Sequence, residues 1–474
     1  MGEGTSKGII VAAIALIVPL VVYFAYTSPG YFTSQTYLGG LLLLELLIAA
    51  ISMYRRVYFP LVIVAFLLAG VDLPISSVFT AGRWAVLAVG AAVGSAIMLK
   101  DRRHPFNLFH VLGLLAVLGA LASAGASRYS SVSFLKVLSL LLLFLYGATG
   151  ARLAVTDREN RFFSGLLIGC EILVAVIAAL YLSGIEVLGN PNSLGAVMGV
   201  VAAPVLLWGM LLDQDRFSRR RRSLLFALSM YLTYSSHARA GLLAVFVSCA
   251  VMCLALRRFR LLAQGIGIIA VLTATSAIVQ PEAFSRTLDS ITSTVVYKGK
   301  PGEGLLSSRE SPWQDTLDAI HDHFWFGTGF GTSDKGGDST VEVGRFSTTA
   351  ATSAEHGSSY LAIIAWVGVL GIIPFFLLLG TLVSKIGQTI FWMVKTGNPS
   401  HPAVPLAMVL LAGLVHGAFE DWMFAPGYYL CVFFWSIAFI FVDQVKSLSM
   451  ADVLGMLVWR VRARQGIGAL APTR

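Results

Sequence analysis

Ser307-Ser308-Arg309-Glu310-Ser311-Pro312-Trp313-Gln314 opens the most polar part of a long interruption, from Gln280 to His356, in an otherwise apolar sequence. An amphipathic run follows it, then Gly327-Thr328-Gly329-Phe330-Gly331, and at the far end Glu355-His356-Gly357. Everything around this interruption reads as hydrophobic span. Chemistry is therefore to be sought where the polar segment meets the membrane.

The 474 residues are 57% hydrophobic and only 12% charged, with a mean hydropathy of +0.78. Soluble domains carry about a quarter charged residues. The composition excludes a soluble globular protein and defines an all-α polytopic membrane protein, because in hydrocarbon only helices or closed barrels satisfy every backbone group and the alternation of a barrel is absent. The net charge of +9 does not indicate nucleic acid, since Lys and Arg fall in short clusters between spans, as membrane anchors do. Cys170, Cys249, Cys253 and Cys431 all fall within spans without ligand spacing, so neither a disulfide framework nor a zinc site is expected.

Apolar runs at 8–26, 37–53, 57–73, 84–99, 107–124, 132–150, 162–184, 194–212, 223–236, 240–256, 261–280, 358–383, 403–419 and 426–443 predict about 12–14 transmembrane helices. The first run reads as a retained span rather than a signal peptide. Every second connection is basic (Arg55-Arg56; Arg102-Arg103; Arg152 to Arg161; Arg219 to Arg222; Arg257-Arg258; Lys385 with Lys395). The positive-inside rule then places both termini in the cytoplasm and the large loop outside. The expected organisation is an N-terminal transmembrane bundle (1–280), a large periplasmic loop with short helices (281–357), C-terminal transmembrane helices (358–443) and a basic cytoplasmic tail (444–474).

This alternation gathers the chemistry-capable groups on the outer side. Arg239, in the break Ser235-Ser236-His237-Ala238-Arg239-Ala240-Gly241, lies so close to lipid depth that it either snorkels or binds an anion at a cavity mouth. Arg309 precedes a capping-box pattern, with Ser311 as N-cap, Pro312 at the first helical position and Gln314 at the third, which predicts a helix from Pro312 to Phe324. A helix start beside a guanidinium suits a phosphate, although an ordinary surface arginine fits the same pattern. His356 stands at the water–lipid boundary as either a general base or a satisfied hydrogen-bonder. Glu420-Asp421 either binds a cation or sugar hydroxyls or caps a helix. His416, inside a span, has a packing or hydrogen-bonding role by default. Gly327-x-Gly329-x-Gly331 reads as a turn more readily than as a phosphate cradle, since no strand precedes it and no Lys-Ser/Thr follows. No residue set has metal-ligand spacing, and no cofactor is implied.

Several short stretches together resemble the O-antigen ligase and polymerase superfamily, membrane glycosyltransferases acting on polyprenyl-diphosphate-linked glycans. They are Gly189-Asn190-Pro191-Asn192-Ser193-Leu194-Gly195, Ser236-His237-Ala238-Arg239-Ala240-Gly241, Arg309 with Trp313, the Gly327–Gly331 turn, and His356-Gly357-Ser358-Ser359-Tyr360-Leu361 leading into Gly368-Val369-Leu370-Gly371. The resemblance covers roughly Gly189 to the C-terminus. It implies a GT-C-like architecture, an undecaprenyl-diphosphate-linked glycan donor and a lipid A–core or glycan acceptor at the periplasmic face of a bacterial inner membrane, and metal-independent, inverting transfer. Carried onto this chain, it implies that Arg239 and Arg309 hold the diphosphate and that His356 activates the acceptor hydroxyl or steadies the leaving phosphate. Asn192 and Trp313, within the matching stretches, and Glu420 and Asp421, on the outer side, are candidate substrate-binding residues. Gly357 stands where the family has a hydrogen-bonding Asn, and the span count leans toward a polymerase. The competing readings are a secondary transporter or lipid-glycan flippase, which would need broken helices or charges near mid-membrane in paired halves, and a scaffold protein.

Overall fold

The computed structural model describes residues 35–71, 76–100, 106–185, 188, 190–263, 307–333, 338–343, 346–351, 356–446 and 448. The expected first span at 8–26, most of the span expected at 261–280, much of the large loop and the basic tail lie outside the described residues.

The described chain runs α1 (Gln35–Ser52), α2 (Tyr54–Ala69), α3 (Ser76–Lys100), α4 (Leu108–Ala126), α5 (Ser130–Val155), α6 (Glu159–Leu182), α7 (Asn192–Leu212), α8 (Arg216–Ser235), α9 (Arg239–Ala255), α10 (Ser307–Asp322), β1 (Asp338–Val343), β2 (Phe346–Ala351), α11 (Ser359–Thr396), α12 (Ala403–Gly417) and α13 (Tyr429–Val445). It is an all-α multi-pass membrane protein, its one strand pair being a hairpin in the loop, with Val343 opposite Phe346. Among the described residues, six helices are long and apolar enough to cross a membrane: most of α3, and α4, α5, α6, α7 and α11. The shorter apolar helices α12 and α13 owe their place to packing. Nearly every residue of both is buried, so they form the middle of the bundle while α6 and most of α3 keep apolar faces turned outward.

Close helix crossings are made at glycines. A Cβ on Gly199 of α7 would lie 2.6 Å from the Gly241 carbonyl oxygen of α9, and one on Gly241 would lie 2.7 Å from that of Gly195. Gly119 of α4 crosses Gly371 of α11 in the same way. Lipid gives no hydrophobic drive for helices to associate, so close backbone approach and dispersion must supply it, and these contacts allow it. The crossing of α7 on α9 holds the Ser236–Arg239 break, with His237 in the left-handed region at φ 53°, against the start of α7.

Charges inside the bundle are paired. Arg222 of α8 bonds Glu171 of α6 at 2.8 Å and also Asp213, while Arg221 reaches the other Glu171 oxygen at 2.8 Å. Buried Arg152 bonds Asp443 of α13. Each of these carboxylates answers a cation that would otherwise be too costly to hold within the membrane.

Two local expectations are corrected. The loop helix begins at Ser307, so Ser311 is not its N-cap and Pro312 lies inside it. Pro312 is tolerated there because it stands early in the helix, where the bond it forfeits reaches back only to the first turn. Arg309 therefore belongs to the first turn instead of flanking a helix start at Pro312. The apolar run read at 223–236 is only the second part of α8, which starts at Arg216 because Asp215 caps it, its carboxylate accepting from the Ser218 N–H at 2.8 Å.

Candidate functional site

One end of the bundle holds a cavity of about 450 Å³ lined by charged, amide and aromatic side chains. Its walls come from six parts of the chain: Trp84 of α3, Lys136 and Ser139 of α5, Asn190 to Ala196 at the start of α7, Phe330 and Gly331 of the glycine turn, Trp366 of α11, and residues from His416 at the end of α12 to Tyr428 before α13.

Local sequence explains each wall. Asn190 caps α7, its side-chain oxygen accepting from the Asn192 N–H at 2.9 Å with Pro191 at the first turn. The cap turns the Asn192 amide toward Glu420, 3.5 Å from its Oε1. The 420–428 loop is fixed by its own backbone: the Glu420 carbonyl accepts from the Ser359 N–H at 3.0 Å and the Ser359 hydroxyl at 2.6 Å. Trp422 donates its indole N–H to His416 Nδ1 at 2.7 Å, the hydrogen-bonding role expected for that histidine. At the loop's other end Arg83 donates to the Gly427 carbonyl at 2.8 Å.

The glycine turn is structural. Gly327, Gly329 and Gly331 have φ of 72°, 105° and 71°, values that only glycine adopts at little cost. The turn is stitched to a break in α11, where Gly368 takes φ 62° and ψ −176°. Thr328 and Gly329 donate their N–H groups to the Ala365 and Trp366 carbonyls at 2.9 and 3.1 Å, and Val369 donates back to the Phe324 carbonyl at 2.9 Å. Ser123 of α4 also donates to the Trp366 carbonyl. Backbone groups freed by the break thus bond to protein, as membrane depth requires, and the Thr328 and Gly329 N–H groups are spent on α11 instead of on a phosphate cradle. The turn also presents the Gly331 carbonyl to Lys136, which donates to it from the cavity wall.

His356 lies just behind the wall and is buried, with 3% of its surface exposed. Its backbone N–H donates to Asp421 Oδ2 at 3.0 Å. The Trp366 indole N–H donates to His356 Nε2 at 3.0 Å, so Nε2 is an acceptor and the proton of the neutral ring belongs on Nδ1. That nitrogen is 3.0 Å from Thr316 Oγ1, which donates onward to the Pro312 carbonyl at 2.6 Å. The ring is thus a link in a chain from α11 to α10. Burial lowers its pKa from the ordinary imidazole value; the Asp421 charge works against this and the Lys136 charge with it. Trp313 holds the same junction from α10, donating to the Gly357 carbonyl at 3.3 Å.

Asn192, Glu420 and Asp421 are thus brought together on one cavity, with His356 reached through Asp421 and Trp313 through Gly357. Arg239 begins α9, half-buried at the same end of the bundle, but it does not line the cavity. Arg309 is placed only by its backbone in α10; its side chain lies outside the described residues. Sequence reading missed Lys136. It sits within an apolar span, the position where a charge signals function, but the outer-face residues were collected from connections alone. Among the described residues, no three His, Cys, Asp or Glu side chains are placed to hold a metal ion.

Residues 223–376 match a family model described as O-antigen ligase. This segment carries the Arg239 break, the loop with Arg309 and His356, and the stitched break of α11, and the match bears out the resemblance to the O-antigen ligase/polymerase superfamily read from the sequence. No curated protein matches the chain.

Proposed function

We propose that this protein transfers or polymerises glycan from an undecaprenyl-diphosphate-linked donor at the periplasmic face of a bacterial inner membrane, with both termini cytoplasmic and the large loop periplasmic. The observation that carries the reading is the cavity itself: a lysine and two acidic residues, Glu420 and Asp421, line one chamber at a bundle end, together with Phe330 and Gly331 from the segment that the family match covers. A diphosphate needs cations and a sugar needs carboxylates and amides, and the chamber brings both within one wall.

The acceptor hydroxyl oxygen attacks the anomeric carbon of the donor. The bond from that carbon to the diphosphate oxygen breaks, its electron pair leaves with the diphosphate, and displacement inverts the centre. Arg309 and Arg239 hold the diphosphate as the resemblance implies, and Lys136 joins them as the cation already on the cavity wall; fixed cations in a low-dielectric site stabilise the departing charge. The hydroxyl proton passes to a carboxylate on the cavity wall, a role given to Glu420, whose Oε1 is faced by the Asn192 amide, while Asp421 accepts from the His356 backbone N–H. His356 is assigned as a positioning residue that ties the loop helix to α11. Asn192 orients Glu420, and Trp313 holds the loop over the acceptor. The donor's polyprenyl tail lies in the surrounding lipid.

The test is reaction of the purified protein with polyprenyl-diphosphate glycan, with and without a lipid A–core acceptor. Chains lengthening on the carrier define a polymerase, and glycan moving to the core defines a ligase. Glu420→Gln should lower the rate by about 10²-fold or more. Undiminished transfer by Glu420→Gln, or no transfer from any lipid-linked donor by the wild-type chain, overturns the reading.

A further inference from the structure

A second opening, of about 350 Å³, lies between α2 and α6 with α7 and α13 as its floor. It is almost wholly apolar along its length, lined by residues such as Phe59, Ile63, Leu67, Leu166, Leu173 and Phe433, yet one end is closed by four arginines: Arg55 and Arg56 at the start of α2, and Arg158 and Arg161 at the start of α6. This arginine end is remote from the cavity. The other end of α2 meets Tyr429, next to the cavity residue Tyr428, since a Cβ on Gly70 would sit 3.1 Å from the Tyr429 ring.

The arginines crowd one another. Arg158 donates to the Arg55 carbonyl at 2.8 Å. Partial burial, and then the like charges of Arg56 and Arg161, push the Arg158 guanidinium below its ordinary pKa. Among the described residues two carboxylates stand nearby: Asp157 is 3.6 Å from Arg55, and Glu159 accepts from Gln444 at 3.1 Å. Four cations facing two carboxylates leave the mouth net positive.

Groove-lining residues run along α6 from Arg161 to Leu173, about 18 Å at 1.5 Å per residue. One leaflet of hydrocarbon is about 15 Å deep. Gly165 and Gly169 lie on this wall, and a Cβ on either would meet nothing within 4 Å, so the space beside α6 reaches its backbone.

We propose that this groove holds an anionic glycerophospholipid, its phosphate among Arg56, Arg158 and Arg161 and one acyl chain laid along α6. Charge complementarity selects the occupant: an apolar channel of leaflet depth, capped by a positive cluster at one end, fits an amphiphile with a charged head at the membrane surface and a chain of matching length. A zwitterionic lipid places its own cation beside the arginines and gains less. The site lies apart from the proposed transfer chemistry and does not depend on it.

The experiment uses the full chain in phosphatidylcholine vesicles with trace spin-labelled phosphatidylglycerol or spin-labelled phosphatidylcholine, reading the immobilised fraction. Wild type should immobilise the anionic probe at least threefold more than the zwitterionic one. The Arg56→Gln/Arg158→Gln/Arg161→Gln variant should lose that preference. Gly169→Leu, which puts a side chain into the groove at a position where a Cβ meets nothing within 4 Å and leaves the arginines in place, should lose it too, and so covers the case in which the triple variant fails to fold. Equal immobilisation of the two probes by wild type, or a preference that survives Gly169→Leu, overturns the proposal. If polyprenyl phosphate displaces the labelled phosphatidylglycerol at equal or lower concentration, the occupant is an isoprenoid and the proposal is wrong.

Discussion

His356→Gln separates two roles that the sequence leaves open for this ring. In the structure Nε2 accepts the Trp366 indole proton and Nδ1 faces Thr316 Oγ1. His356→Ala deletes both bonds and strands the Trp366 N–H in a buried place. The lost Thr316 bond costs about 1 kcal/mol, and the stranded buried Trp366 donor about 1–3 kcal/mol, so the local penalty is about 2–4 kcal/mol. A glutamine reaches the Nε2 position with a carbonyl oxygen that accepts from Trp366, restoring the costlier of the two contacts, but it cannot take up a proton in catalysis. If His356 positions the loop helix, His356→Gln retains activity within about tenfold of wild type while His356→Ala falls much further; a lost general base costs about 10²–10⁴-fold whichever residue replaces it. The assay is the initial rate of transfer from polyprenyl-diphosphate glycan by purified, folded protein, with melting temperatures recorded for both variants. A glutamine variant that melts like wild type yet is as inactive as the alanine variant would refute the positioning role and restore the ring as base.

Stability should depend on pH through the same ring. Its folded pKa is lowered, so between that value and the unfolded pKa of about 6.5 the unfolded chain binds the proton and the folded chain does not. This contribution is intact above about pH 6.5 and is lost as pH falls toward the folded pKa; in detergent, the melting temperature should fall with acidification below neutrality, and less so for His356→Gln. Gly368→Ala should destabilise by about 1–3 kcal/mol, because φ is 62° with ψ near 180° and a Cβ would lie 2.5 Å from the Trp325 backbone; an unchanged melting temperature contradicts this. Lys136→Met should raise the KM for lipid-linked donor and lower kcat by about tenfold or more with the fold retained, whereas loss of folding alone would make the lysine a tether for Gly331. Arg239→Ala and Arg309→Ala should each reduce transfer by about 10²-fold, and full rates in either would remove that arginine from the diphosphate site.

Much of this architecture is legible in the sequence because lipid leaves so few options. Apolar runs of spanning length had to be helices, but their edges moved: α3 begins at Ser76, α8 at Arg216 where Asp215 caps it, and α11 runs on to Thr396. The same rule made the Ser235–Arg239 break readable, since a polar run between two apolar ones cannot stay at depth. The convergence of Asn192, Glu420 and Asp421 follows from placing alternate connections at one end. Distances between side chains do not follow from that rule. Nothing local to His356 announces that Trp366, ten residues later, bonds its ring, because the contact depends on a helix broken at Gly368. Likewise the capping-box pattern at Ser311 is a true local preference that helix continuation from Ser307 overrode. Lys136 was hidden for the opposite reason: a single cation in an apolar run leaves hydropathy almost unchanged. The hairpin at 338–351 passed unnoticed because its Thr- and Val-bearing strands are short and lie in a segment read only for helices.

The stitched break in α11 also bears on biogenesis. The Ala365 and Trp366 carbonyls cannot rest in hydrocarbon unbonded, and their donors, Thr328 and Gly329, come from a segment made earlier. Chain order therefore delivers the donors before the acceptors leave the ribosome. The glycine turn must already have docked on the end of α4 and the start of α5, through Ser127 to the Thr328 carbonyl and Ser133 to the Phe330 carbonyl, when α11 integrates. A chain whose glycine turn docks late would present the insertion machinery with a helix whose Ala365 carbonyl is unsatisfied and whose Trp366 carbonyl has only Ser123 as donor, a reason for such a chain to be held back and degraded.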